Sequence, residues 1–178
     1  MDVSILSKGE SLTSTWPHVG VGAVTVAINQ AIVAAPTVDW LCMLDIHMLE
    51  ENPLQKEIQP MRGLSPQHGV FTAEQYLPHA RRIFPDKIHV GSGRIERIGH
   101  SRMPSTAMAS LWFATQVLGA NCLLLHGFDL GGRNFMGETE TVERGERRWP
   151  DERKILASVI TALRERGTVI HLFGAFKV

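Results

Sequence analysis

The apolar positions of this chain fall into short runs, each ending in polar residues and followed by loops or helix-periodic stretches. Val3-Ser4-Ile5-Leu6 is a β-branched, apolar run that stops at Ser7-Lys8-Gly9-Glu10-Ser11, which predicts a strand feeding a small-residue loop. Ala23 to Ile28 predicts a second strand; it ends at Asn29-Gln30 and yields to the Ala-rich segment Ala31 to Ala35, a short helix closed by Pro36. Trp40 to Leu44 predicts a third strand, ending at Asp45. From Glu50 to Pro85 the prolines at 53, 60, 66, 78 and 85 break the pattern, so loops are expected with a short helix near Thr72 to Phe84.

Lys87 to Val90 predicts a fourth strand, ended by Gly91-Ser92-Gly93. Pro104 to Leu118 reads as a helix, with Pro in the first turn, Met108, Leu111, Trp112, Thr115 and Leu118 on helical spacing, and Gly119 as the stop. Cys122-Leu123-Leu124-Leu125 is the unbroken apolar run of a strand buried on both faces of a parallel sheet, and His126-Gly127-Phe128-Asp129 follows at its end. Asp151 to Arg166 is amphipathic, with Ile155, Leu156, Val159, Ile160 and Leu163 inward and Gly167 as the stop; Thr168 to Phe173 is the last strand. Strands alternating with helices predict α/β class: one three-layer domain over residues 1–178, with a mainly parallel sheet and helices on both faces.

Composition narrows the function. Eighteen Lys plus Arg against 18 Asp plus Glu leave no net field, so nucleic acid is not the expected partner. With 44% hydrophobic residues the chain is globular, and at 178 residues it buries roughly 70% of its unfolded surface without needing a disulfide. Cys42 and Cys122 lie inside apolar runs and read as small buried hydrophobes in a reducing setting. Met1 to Ser7 lacks a basic leader pattern and no run approaches the ~18 apolar residues of a membrane helix, so no membrane partner and a cytoplasmic location are expected. A homo-oligomer stays open.

In a parallel sheet, ligands lie across the carboxyl ends of the strands. The polar tips expected there are Ser7 to Ser11, Asn29 and Gln30, Asp45, the Ser105-Thr106 helix start and Asp129. Gly9 would let the backbone approach a phosphate, while Ser11, Ser105 and Thr106 offer hydroxyls and helix-start N–H groups. The plain alternative is that Ser11, Asn29 and Ser105 only cap helices. No Walker or GxGxxG motif occurs, no His or Cys pair has zinc spacing, and no GxSxG elbow occurs.

Ile5-Leu6-Ser7-Lys8-Gly9-Glu10-Ser11-Leu12, Val26-Ala27-Ile28-Asn29-Gln30, Pro104-Ser105-Thr106-Ala107 and Leu123-Leu124-Leu125-His126-Gly127-Phe128-Asp129-Leu130 occur in that order. The set resembles the Rossmann-like superfamily that joins bacterial CMP-sialic acid sialyltransferases, archaeal 6-hydroxymethylpterin pyrophosphokinases and phage-encoded relatives. In the sialyltransferase branch the first loop reads G-N-G-P-S-L, and its asparagine and that of the N-Q pair contact the nucleotide. Lys8 stands here at the asparagine position and Glu10 at the proline, while Gly9, Ser11, Asn29, Gln30 and the G-x-D of Gly127-Phe128-Asp129 match. That branch also places a catalytic histidine after G-x-D, yet Leu130 to Pro150 contains none.

The resemblance implies a nucleotide or sugar-nucleotide ligand at Ser7, Lys8, Gly9, Ser11, Asn29, Gln30, Ser105, Thr106 and Gly127. Residues 130–150 are expected to form a mobile lid whose Arg133 and Arg148 close on phosphates. His47, His100 and His126 are candidate bases, and Asp45, Asp129 and His126 are the catalytic candidates. The pyrophosphokinase branch would place magnesium at Asp45 and Asp129. Three functions compete: a transferase using a nucleotide-activated donor, a non-catalytic nucleotide-binding accessory protein acting in a host cytoplasm if phage-encoded, and an interaction module presenting the charged stretch Glu138 to Arg153.

Overall fold

In the computed structural model, described for residues 1–17, 23–56, 58–85, 105–131, 136 and 149–174, six parallel strands form one sheet. They are β1 (Asp2–Leu6), β2 (Val24–Ile28), β3 (Trp40–Cys42), β4 (Gly69–Phe71), β5 (Cys122–His126) and β6 (Val169–Phe173). The spatial order is β4-β3-β2-β1-β5-β6, so the chain builds outward from β1 in one direction, then returns to the other side of β1. The fold class is α/β, as the alternation of apolar runs predicts.

Reversing direction while keeping right-handed crossovers puts the two sets of connections on opposite faces. One face carries α4 (Thr106–Trp112) and α5 (Trp149–Glu165), packed over Val3, Ile5, Val26, Ile28, Leu123 and Leu125. The other carries α1 (Leu12–Thr15), α2 (Met48–Glu51), α3 (Leu77–Ile83) and 3-10 turns at Asn29–Val33 and Gln59–Met61, over Leu6, Ala27, Leu41 and Val70. Alternate residues of each central strand thus serve separate cores, which is why these strands are mostly apolar.

Three expectations shift. The Ala-rich segment forms a 3-10 turn that begins at Asn29 itself. The helix from Thr106 widens over Phe113–Val117, where Leu118 N–H reaches the Phe113 carbonyl (3.0 Å), before ending at Gly119 with φ 71°. The fourth strand is Gly69–Phe71, in a stretch read as loop, whereas the strand expected over 87–90 lies outside the described residues.

Packing fixes where α4 starts. Phe113 stacks on Phe71 of β4 (4.8 Å between ring centres) and meets Trp40 of β3 edge-on (5.2 Å), while Trp112 lies 5.9 Å from Phe71. Each such aromatic pair adds about 1 kcal/mol beyond its buried area. This cluster anchors the helix over the sheet, and its first turn comes to the end of β3, where the Cys42 thiol lies 3.8 Å from the Thr106 carbonyl.

Candidate functional site

The direction reversal between β1 and β5 is where an open parallel sheet is expected to offer a crevice. Here the chain fills it. Ser7 N–H donates to the His126 carbonyl and Gly9 N–H to the Gly127 carbonyl, both at 2.8 Å, and Leu12 N–H donates to the Gly9 carbonyl at 3.0 Å. Ser11 gives Asp129 two bonds: its backbone N–H to Oδ2 (2.7 Å) and its hydroxyl to Oδ1 (2.6 Å).

Glycines make this closeness feasible. A Cβ on Gly9 would strike the Gly127 carbonyl oxygen and lie 2.5 Å from Asp129 Oδ2. One on Gly174, whose φ is 138°, would strike Ser11 Oγ and lie 2.7 Å from Asp129 Oδ1. The ends of β1, β5 and β6 are therefore drawn around a single carboxylate.

That geometry gives the first loop a role within the fold. The N–H groups of Ser7, Gly9, Ser11 and Leu12 and the Ser11 hydroxyl are donated within the protein, and the group at their centre is an anion. Gly9 and Gly127 are required for chain-to-chain packing. Asp129 acts as a structural hub, with Ser11 donating to each of its oxygens. Lys8 is partly buried beside this knot.

His126 lies in the interior of the fold. It is fully buried, edge-on to Trp16 (5.6 Å) and stacked on Phe173 (4.8 Å) in an aromatic clamp. Asp45 is exposed in the turn after β3, where its carbonyl accepts from Met48 N–H (3.0 Å). Asp45 and Asp129 come from separate strand ends, and among the described residues no group of three metal-binding side chains forms.

The other half of the carboxyl edge is built differently. Asn29 follows β2 with φ 49°, a left-handed conformation that Asn tolerates better than most residues, and its Oδ1 is buried with no hydrogen-bond partner among the described residues. Ser105 Oγ, at the start of α4, is equally buried and unpartnered. Helix capping accounts for none of the three residues suspected of it. Ser11 sends its hydroxyl to Asp129, and neither Asn29 nor Ser105 makes a side-chain cap bond. Gln30 is buried in the turn after Asn29, and Thr106 enters the first turn of α4.

Beyond β3 lies a polar cluster that the sequence did not single out. Arg82 clasps Glu50 with Nε at 3.0 Å and Nη2 at 2.8 Å, and His79 Nδ1 lies 2.5 Å from the same carboxylate. The Arg82 hydrogen bonds, with a smaller contribution from His79, hold the Glu50 carboxyl at about 2 against an ordinary 4.5. His47 stacks on Tyr76 (4.0 Å), its Nε2 3.9 Å from Glu51 and its Nδ1 buried without a hydrogen-bond partner. Spacing gave one usable sign of this cluster: His79 and Arg82 stand three apart on α3, hence on one helix face.

α5 holds the chain at the start of the expected lid. Arg153 Nε of α5 donates to the Leu130 carbonyl (2.9 Å), and its guanidinium crowds Gly131, whose φ is 144°. Arg133, Arg148 and His100 lie outside the described residues.

Comparison with solved structures follows from this architecture. The sialyltransferase CstII from Campylobacter jejuni, in complex with the substrate analogue CMP-3FNeuAc, aligns over 97% of this chain and 80% of its own at 12% identity and a TM-score of 0.59. The fold is shared with this sialyltransferase. A CST-II complex with trisaccharide acceptor and CMP aligns over 97% and 81% at 13% identity and a TM-score of 0.60. No family model matches the chain, and no curated protein matches it. Among the described residues no helix is long and apolar enough to cross a membrane.

Proposed function

We propose that this protein binds a sugar nucleotide across the carboxyl edge of β2 and β3, under the start of α4, and is a transferase of the glycosyltransferase type. The observation that carries the reading is the pair of unpartnered oxygens, Asn29 Oδ1 and Ser105 Oγ, held at that edge. A buried polar atom without a partner costs about 1–3 kcal/mol, so two of them near one strand-end row call for a partner from outside the chain. The shared fold with CstII, whose complexes contain CMP and CMP-3FNeuAc, supplies the ligand class.

In such a transfer an acceptor hydroxyl loses its proton, its oxygen bonds the anomeric carbon, and the nucleoside monophosphate leaves with the electron pair of the broken C–O bond. Asn29 and Ser105 bind and orient in this scheme. For the proton acceptor, His126 is enclosed by the aromatic clamp, whereas His47 lies in the turn that follows β3.

The clamp around His126 also favours a second reading, in which the same edge binds a nucleotide without turning it over. Thermal-shift screening with CMP, CMP-3FNeuAc and other nucleoside mono- and diphosphates tests the binding, and incubation with CMP-sialic acid and a saccharide acceptor tests the transfer. Stabilisation by the CMP compounds with transfer supports the enzyme, and stabilisation without transfer supports the binder. No stabilisation by any nucleotide overturns both.

A further inference from the structure

We infer that the ligand site extends past β3 to Thr72, whose hydroxyl takes an uncharged hydrogen-bonding group of the same ligand. This rests on the reading above. Thr72 is 1% exposed, and its Oγ1 has no hydrogen-bond partner among the described residues. Its position relates it to the other two unpartnered oxygens. Cys42 pairs with Ile28 on one side and Phe71 on the other, so Asn29 and Thr72 each stand one residue beyond a single cross-strand row. The central member of that row, Cys42, touches the Thr106 carbonyl at the start of α4, next to Ser105.

The chemistry of this row selects its occupant. Asn29 Oδ1 can only accept, whereas the Ser105 and Thr72 hydroxyls can donate and accept, and none of the three side chains is a cation. A phosphate would find no countercharge among these groups. A hydroxyl or amine, which brings its own donor, satisfies all three. Sugar hydroxyls and a nucleobase amine both have this character, and the choice of probe separates them.

Threonine and valine have nearly the same shape, so Thr72→Val removes the hydroxyl and little else. If the hydroxyl has no partner inside the protein, its loss leaves the Tm unchanged or raises it. If it meets the ligand, affinity drops about tenfold at the same time, and Thr72→Ser, which keeps the hydroxyl, restores it. Calorimetric titration of wild type, Thr72→Val, Thr72→Ser and Ser105→Ala with CMP and with CMP-3FNeuAc reads this directly.

A loss with both probes assigns the contact to the nucleotide, and a loss with CMP-3FNeuAc alone assigns it to the sugar; either supports the inference. Full affinity in Thr72→Val with reduced affinity in Ser105→Ala overturns it and leaves the proposed function standing. A lowered Tm in Thr72→Val with unchanged affinity also overturns it, since the hydroxyl would then hold a buried water as part of the fold. Failure of wild type to bind either probe overturns the proposed function and this extension together.

Discussion

The two halves of the carboxyl edge use the same kinds of residue to opposite ends. At β1, β5 and β6 the polar groups face one another: Ser11 donates twice to Asp129, Gly9 donates to Gly127, and Gly174 seals the carboxylate. At β2, β3 and β4 the hydrogen bonds are less complete: Asn29 Oδ1, Ser105 Oγ and Thr72 Oγ1 are all buried and have no hydrogen-bond partner among the described residues. A glycine or serine after a strand therefore does not by itself mark a ligand site. What separates structure from binding is whether the hydrogen bonds are already spent.

The sharpest way to break this contrast is Gly9→Ala. Its Cβ would meet the Gly127 backbone carbonyl, which cannot swing aside as a flexible side chain could, so a loss of about 3 kcal/mol in chemical denaturation is expected. A variant as stable as wild type would mean the knot is slack. Asp129→Ala should cost about 2 kcal/mol by leaving the Ser11 N–H and hydroxyl unpaired, and Asp129→Asn, which keeps one acceptor oxygen, should cost less.

On the open half the expected effects fall on binding. Asn29→Ala puts a methyl side chain at φ 49° and should cost about 1 kcal/mol of stability, whereas Asn29→Gly should fold as well as wild type; both should bind CMP more weakly. Equal affinity in Asn29→Gly and wild type would return Asn29 to a purely conformational role.

The smallest expected effect lies at Glu50. Its carboxyl is held at about 2 in the fold against an ordinary 4.5, so the stability it contributes is present above pH 4.5 and fades as pH falls toward 2. Glu50→Gln should therefore flatten the decline of Tm in that window. An unchanged slope would show that the Arg82 and His79 contacts carry no weight in solution.

How much of this was legible in the chain depends on range. Mostly apolar runs at Val3 to Leu6 and Cys122 to Leu125 marked central strands, because burial on both faces leaves little polar alternation. Gly69-Val70-Phe71 was invisible: three residues among prolines, one of them glycine, become a strand only because β3 supplies hydrogen bonds and Phe113 covers Phe71. The first loop was readable as a loop but its packing was not, since the partners of the Ser7, Gly9 and Ser11 N–H groups lie more than a hundred residues away. Thr72 carried no signal, because a missing hydrogen bond is a property of the packed state.

The central claim is that ligand binding belongs to the half of the edge whose hydrogen bonds remain unspent. A titration of isotope-labelled protein with CMP, followed residue by residue through backbone amide NMR shifts, tests it most directly. The account predicts the largest, saturable shifts at Asn29 to Ala31, Thr72 and Ser105 to Ala107, with small changes over Ser7 to Leu12 and Gly127 to Asp129. Largest shifts in the latter two segments, with Asn29 and Ser105 unmoved, would contradict it.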